Sequence, residues 1–243
     1  MAQNIILIET STALCSVALA ENGQITAYRE SSAPKAHASL TAVFIQEMLA
    51  ERGLSIADCD AVCVSKGPGS YTGLRVGVST AKGLCFGARK PLLAVGTLDT
   101  LAAQALTTEP GTEAQQADYK YIIPMIDARR MEVYAAVFSL CDPEQSKGAY
   151  TQITETAPAI IDENSFAEYL EQGSCLFIGD GAGKCADVIK HPNAHFCQCH
   201  PNAAAMLAPA MDALKEKRFE DVAYFEPFYL KEFVATVSKK KLW

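Results

Sequence analysis

Apolar and polar positions change rhythm along this chain in the same order twice. Residues 5–8 form a β-branched run that predicts a buried strand, and the polar turn Glu9-Thr10-Ser11-Thr12 follows it. Residues 16–20 predict a second strand, Asn22-Gly23 is a two-residue hairpin signal, and residues 24–29 continue as a third strand. Helical spacing then covers 36–52 and stops at Gly53. A strand at 60–65, a helix at 72–88, a strand at 92–95 and a helix at 98–106 capped by Thr97 complete a βββαβαβα order.

Residues 107–118, TTEPGTEAQQAD, have no apolar periodicity and contain Pro-Gly, which predicts a surface linker. Beyond it the pattern repeats. Strands are expected at 120–127, 132–140 and 149–155, a helix at 165–172 and a strand at 175–178. A glycine-rich turn with a short helix to Ile189, a strand near His195 and a helix from 201 to about 218 follow, with a kink or break at Pro209. The expected division is therefore an N-terminal subdomain of 1–106, a linker of 107–118 and a C-terminal subdomain of 119–243.

The stretch around which the first half is organised is KGPGSYTGLRVGVSTAK, residues 66–82. Gly73, Gly77 and Ala81 recur every four residues, so on a helix they stack into one small face that lets another backbone approach. Gly67, Gly69, Ser70 and Thr72 sit where a helix begins. They suit either a phosphate cradle of backbone amides or a tight strand-to-helix turn with Thr72 as N-cap. No Walker pattern is present, since Lys66 precedes the glycines. On the helix at 36–52, Leu40, Val43, Phe44 and Met48 line one side and Ala42, Ile45 and Leu49 another. That arc suits a helix buried on both sides, or one that packs on its own domain and on a partner.

Composition limits the function. The 243 residues carry 21 basic and 28 acidic side chains, for a net charge of −7. Residues 1–106 hold eight of each, which leaves 13 basic against 20 acidic for the remainder. A chain so charged is a poor binder of nucleic acid by itself, because Lys and Arg must replace the condensed counterions. Nine cysteines with no export signal read as reduced, mostly buried thiols, and no apolar run is long enough to span a bilayer. The expected place is the cytoplasm, with no membrane contact.

A duplicated α/β chain of this order is similar to the actin-like superfamily (ASKHA, ribonuclease H-like), whose members bind nucleotide between two subdomains. In such folds the first hairpin turn of each half needs an acidic residue and a glycine so that the backbone can reach the phosphates. Here the turns read Glu9-Thr10-Ser11-Thr12 and Asp127-Ala128-Arg129-Arg130, neither with glycine, so the cleft reads as degenerate for ATP hydrolysis.

ILIETSTALCSVAL, His37 with Ser39, KGPGSYTGLRVGVSTAKGL, DARRMEVYAAVF and PFYLK together resemble the TsaB (YeaZ) family in order and spacing. The resemblance implies a paralogue of TsaD that acts with TsaD and the ATPase TsaE. Their product is N6-threonylcarbamoyladenosine at position 37 of tRNAs reading codons that begin with adenine. It implies a non-catalytic scaffold: TsaD holds a metal on a His-x-x-x-His helix, whereas the equivalent AHASLTAVF offers His37 alone. The helix pair is expected to form a homodimer in the isolated protein and the TsaD contact in the complex, through His37, Leu40, Val43, Phe44, Met48, Gly73, Gly77 and Ala81. The family-motif turns are Glu9, Thr10, Ser11, Gly67, Gly69, Ser70, Thr72 and Arg75, with Asp127, Arg129, Arg130 and Glu132 in the second half. No metal and no cofactor are expected in the isolated chain, ATP or ADP only in the assembled complex, and tRNA only through it.

Other readings stay open. An actin-like small-molecule kinase would use Glu9, Thr10 and the loop Gly179-Asp180-Gly181-Ala182-Gly183-Lys184, which otherwise is a plain glycine turn. A metallopeptidase would need a bound metal, but no His-Glu-x-x-His pattern occurs. His195, Cys197, Cys199 and His200 suit either a soft metal or a strand end with buried thiols. Lys239-Lys240-Lys241 with Leu242 and Trp243 forms a basic tail with an apolar end.

Overall fold

The structure, a computed structural model, describes residues 3–107, 119–140 and 150–230. The expected linker, except Thr107, and the lysine-rich tail lie outside the described residues. The first half contains β1 (Asn4–Glu9), β2 (Cys15–Glu21), β3 (Gln24–Ser31), α1 (Ala36–Glu51), β4 (Ala61–Ser65), α2 (Tyr71–Ala88), β5 (Leu92–Val95) and α3 (Thr97–Thr107). Asn22 and Gly23 both take positive φ (55° and 77°), as the hairpin between β2 and β3 requires. The sheet order is β3-β2-β1-β4-β5, antiparallel across the hairpins and parallel from β1 outward to β5.

The second half repeats this plan with β6 (Tyr121–Asp127), β7 (Glu132–Ala135), β8 (Phe138–Leu140), β9 (Tyr150–Gln152), β10 (Ala157–Ile160), α4 (Ala167–Leu170), β11 (Cys175–Gly179), α5 (Ala182–Ala186), β12 (Ala194–Gln198) and α6 (Leu207–Lys215). Its main path, β10-β7-β6-β11-β12, matches the first sheet strand for strand. The two-subdomain duplication expected of an actin-like α/β fold is therefore present. Local differences have local reasons. The single strand expected at 132–140 is split into β7 and β8, and the gap falls opposite Pro124, which has no amide hydrogen to give a ladder. β10 was not among the expected strands; it holds Pro158 and is an edge strand, where proline is tolerated. The helix expected from 201 to 218 is a 3-10 turn (Ala203–Met206) followed by α6. The break comes before Leu207, and Pro209 sits in the first turn of α6, where its missing amide is not needed.

Packing changes the domain boundaries. Ile6 and Ile8 of β1 face a core built with Ile45 and Met48 of α1 and Val78, Ala81 and Cys85 of α2. Ile5 and Leu7 face the opposite layer, which is supplied by Ala203, Met206, Ala210 and Ala213 from the far end of the chain. Conversely, Leu98, Leu101, Ala102 and Ala105 of α3 pack on the second sheet, against Ile122, Ile126, Phe138, Leu176 and Ile178. Each half thus lends a helical segment to the other half's sheet, and the two lent segments also pack on each other. The boundaries at 106 and 119 are corrected accordingly: α3 belongs by packing to the second sheet, and residues 203–215 to the first.

Residues after α6 extend this return. Glu220 pairs with Leu92, the Phe228 amide donates to the Lys66 carbonyl (2.7 Å), and Val222 and Phe225 pack on the first core. The exchange predicts that a fragment of residues 1–118 fails to fold alone, because it leaves bare a sheet face whose side chains are each worth roughly 1.5–3 kcal/mol when buried. Circular dichroism on that fragment should show no cooperative thermal transition, and adding residues 119–243 in trans should restore one.

Candidate functional site

The turn after β1 is closed over by α2. Glu9, Thr10, Ser11 and Thr12 are all buried, which is unusual for four consecutive polar residues. The Ser11 amide donates to Glu9 Oε1 (2.6 Å), and the Ser70 amide donates to the Ser11 carbonyl (2.6 Å). A β-carbon on Gly69 would stand 2.3 Å from the Ser11 carbonyl oxygen, one on Gly73 2.1 Å from the Thr10 carbonyl oxygen, and one on Gly77 2.2 Å from Thr10 Oγ1. These glycines are glycines because the chain's own turn occupies the space.

Two expectations are corrected by this packing, and of the two readings of the Gly67–Gly69 loop the tight turn is the one found. Gly73, Gly77 and Ala81 form part of the core instead of a partner groove, and Met48 is fully buried beside them. Ser70, not Thr72, caps α2, its hydroxyl accepting from the Gly73 amide (3.3 Å), while Thr72 is exposed in the first turn. The Gly67–Gly69 loop does not cradle a phosphate: the Thr97 amide donates to the Gly67 carbonyl, Phe228 crosses beside Gly67, and Gly69 faces a carbonyl oxygen.

Glu9 is the chemical oddity of the turn. Burial raises its carboxyl pKa to about 7, against the Ser11 amide, which donates to Oε1, and the neighbouring polar groups of Ser11, Ser65 and Thr10, which favour the charged form. Its Oε2 and the Thr10, Ser11 and Thr12 hydroxyls are buried without protein partners. His37, at the start of α1, lies 2.9 Å through Nε2 from the Thr12 carbonyl; a carbonyl only accepts, so Nε2 carries the proton and tethers the turn. Among the described residues no three His, Cys, Asp or Glu side chains are grouped so as to hold a metal ion.

The second turn repeats the device with different side chains. Arg129 and Arg130 both take positive φ (71° and 51°) and are exposed, while the Arg129 amide donates to Asp127 Oδ1 (2.7 Å). Lys184 Nζ donates to Asp127 Oδ1 (2.6 Å) and to the carbonyls of Arg130 (2.9 Å) and Glu132 (2.6 Å). Burial pushes the Asp127 carboxyl up, but the Lys184 ammonium and the Arg129 amide outweigh it and hold it below the usual range. A β-carbon on Gly179 would stand 2.1 Å from the Met125 carbonyl oxygen. The Gly179–Lys184 loop is therefore packed on its own hairpin, and Lys184 is engaged there. The first turn is buried and Lys184 is tied to the second, so Glu9, Thr10 and Lys184, the residues of the kinase reading, are engaged within the chain.

What remains open is the outer side of the helix pair. On α1, Val43 is 40% exposed between half-buried Leu40 and Phe44. On α2, Thr72, Arg75, Ser79, Gly83 and Phe86 point outward, with Phe86 82% exposed and nothing within 4 Å of where β-carbons on Gly83 or Gly87 would stand. Arg75 lies over the Tyr71 ring, which in turn packs on Tyr229. The sequence reading missed Ser79, Gly83 and Gly87, although they repeat the same four-residue spacing as the inner stripe. Spacing alone gives two small faces and does not say which is covered.

A model of the family "TsaD: tRNA N6-adenosine threonylcarbamoyltransferase" matches residues 30–239. The tRNA threonylcarbamoyladenosine biosynthesis protein TsaB of Escherichia coli is 30% identical over 236 residues, covering 95% of this chain and 96% of that protein. Its Haemophilus influenzae namesake is 31% identical over 246 residues, with 99% and 98% covered. YeaZ from Pseudomonas aeruginosa superposes with a TM-score of 0.79 at 25% identity, over 94% of this chain and all of that one.

The burial of Glu9 predicts a pH signature. Unfolded, its carboxyl titrates near 4.5, and folded near 7. The folded form thus binds the proton more tightly, so this residue costs nothing below about pH 4.5, and stability is lost as pH rises through 7, by up to about 3 kcal/mol. Urea unfolding of Glu9→Gln against the unaltered chain should show the variant gaining relative stability between pH 5 and pH 8; a constant difference across that range would place the Glu9 titration elsewhere.

Proposed function

The chain belongs to the TsaB proteins of tRNA threonylcarbamoyladenosine biosynthesis, which match the TsaD family model, and from that premise we propose that it serves threonylcarbamoyladenosine synthesis on tRNA as a scaffold with no chemistry of its own. Its partner on this reading is a TsaD-type paralogue, with a TsaE-type ATPase joining the assembly. The observation that carries the proposal is the contrast between the two faces of the helix pair. The inner face of α2 is filled by the turn at residues 9–12, while its outer face presents small residues beside an exposed Phe86 and the Leu40-Val43-Phe44 ridge of α1.

Helices approach closely over small residues, and a large exposed aromatic beside them makes an anchor for a partner. Two copies of the same pair make a four-helix contact, which is how the isolated chain would dimerise. The absence of catalysis by the chain alone is supported by a first turn that is buried, by His37 bound to a carbonyl and by Lys184 bound to its own hairpin. A nucleotide, on this reading, is bound only where a partner completes the site. Transfer RNA is reached only through the complex, since the acidic excess after residue 106 repels phosphate within a Debye length of about 8 Å at physiological salt. No helix among the described residues is long and apolar enough to cross a membrane, and the proposed setting is the cytoplasm.

Gly83→Leu and Phe86→Glu test the face. Both sites are open, so Phe86→Glu should melt within a degree or two of the unaltered chain and Gly83→Leu at the same temperature or up to about 4 °C higher, since leucine is the better helix former by up to about 1 kcal/mol. Association with itself and with a TsaD-type protein, measured by analytical ultracentrifugation and light scattering, should weaken at least tenfold, about 1.4 kcal/mol or more. Unchanged association by both variants would remove this face from the proposal.

A further inference from the structure

β12 runs parallel to β11 with Cys197 opposite Ile178, and the chain leaves the strand through Cys199, whose amide donates to the Gly179 carbonyl (3.4 Å). Residues two apart on a strand share a face. Cys197 and Cys199 accordingly both pack on the layer formed by α3 and the second sheet. Placed two apart on one face of the chain, they are neighbours, and the Cys199 thiol favours the Cys197 thiolate, which brings Cys197 down to about 7 and pushes Cys199 up. Cys15, Cys59, Cys63, Cys85, Cys175 and Cys185 are buried; among the described cysteines, these two alone are partly exposed. The metal reading of this cluster has no third ligand among the described residues.

We propose that Cys197 and Cys199 are a reversible oxidation site, closing to a disulfide at the expense of a low-molecular-weight disulfide such as glutathione disulfide. The Cys197 thiolate attacks one sulfur of that molecule, breaks its S–S bond and expels one thiolate. The Cys199 thiol then gives its proton to solvent and attacks Cys197 Sγ, expelling the second thiolate. Two protein thiols are oxidised and one small disulfide is reduced to two thiols.

The geometry sets the character of the bond. At about 3.3 Å rise per residue, the two Cα atoms of an extended Cys-x-Cys segment lie roughly 6.6 Å apart, near the upper limit for a disulfide. Closing it draws them together, and such strained bonds are the easily reduced ones. Gln198, between them, would move. Its side chain accepts from the Gly183 amide (2.6 Å) and donates to the Asp180 carbonyl (3.0 Å), and Asp180 in turn accepts from the Asp127 amide (2.9 Å). Oxidation is therefore felt at the start of α5 and at the Asp127 turn.

The full chain, equilibrated in buffers of reduced and oxidised glutathione, alkylated and digested, decides the matter by mass spectrometry. The expected product is a peptide holding both cysteines, two hydrogens lighter, restored within minutes by dithiothreitol; Cys199→Ser should stop at a mixed glutathione disulfide on Cys197. Hydrogen exchange at the Gly183 amide should quicken at least several-fold on oxidation of the unaltered chain. Separate alkylation of both thiols at every buffer ratio, or a mixed disulfide that persists in the unaltered chain, would overturn the proposal. So would a disulfide that leaves Gly183 exchange unchanged, as far as the coupling is concerned.

Discussion

The backbone of residues 10 and 11 meets the start of α2 and the loop before it at a distance that leaves no room for a β-carbon at positions 69 and 73, and the Thr10 hydroxyl fills the space at 77. That approach fixes which side of α2 is inside. It also closes the end of β1 where related architectures expose a turn to ligand, since ligands of open α/β sheets bind beyond the carboxyl ends of the strands. With Ser70 donating to Ser11 and His37 holding Thr12, the turn is secured by α1 as well as α2. The buried Glu9 carboxyl is a consequence: a residue suited to a phosphate site in an open cleft has been enclosed, and burial keeps its proton to unusually high pH.

The second half reaches the same end by another route. There Gly179 packs on the β6 backbone and Lys184 fills the turn with three hydrogen bonds, leaving the Arg129 and Arg130 side chains outside. The two halves are then joined by an exchange of helical segments, α3 for residues 203–215, which bury opposite sheet faces and contact each other. A chain so interlocked has its inner surfaces occupied. The outer face of α2 carries an exposed Phe86 beside a stripe of small residues.

Much of this was legible in the sequence. The strand and helix order, the hairpin at Asn22-Gly23 and the duplication followed from periodicity, because each element is either buried on both faces, like β1, or amphipathic. Two kinds of fact were not legible. The exchange of α3 and α6 between sheets depends on three-dimensional packing that local pattern does not encode, so a boundary drawn at the linker misassigned both. The orientation of α2 was ambiguous for a different reason: Gly73-Gly77-Ala81 and Ser79-Gly83-Gly87 have identical spacing, and only the contact with Thr10 tells the filled groove from the open one. Resemblance named the pair α1 and α2, and several of the residues carried with it, Gly73, Gly77, Ala81 and Met48, lie on the buried side of that pair.

The central claim, that the Gly73-Gly77 face is core, rests on a contact in which backbone meets backbone, so the decisive measurement is the melting temperature of Gly73→Ala. A methyl group there must displace the Thr10 carbonyl, 2.1 Å from the β-carbon position. Overpacking of about 1–3 kcal/mol or more then exceeds the helix-propensity gain of at most about 1 kcal/mol. At roughly 2–4 °C per kcal/mol for a chain of this size, the account predicts a melting temperature lower by several degrees. A variant that melts at or above the temperature of the unaltered chain, yet no longer associates, would show that this face meets a partner and not the turn.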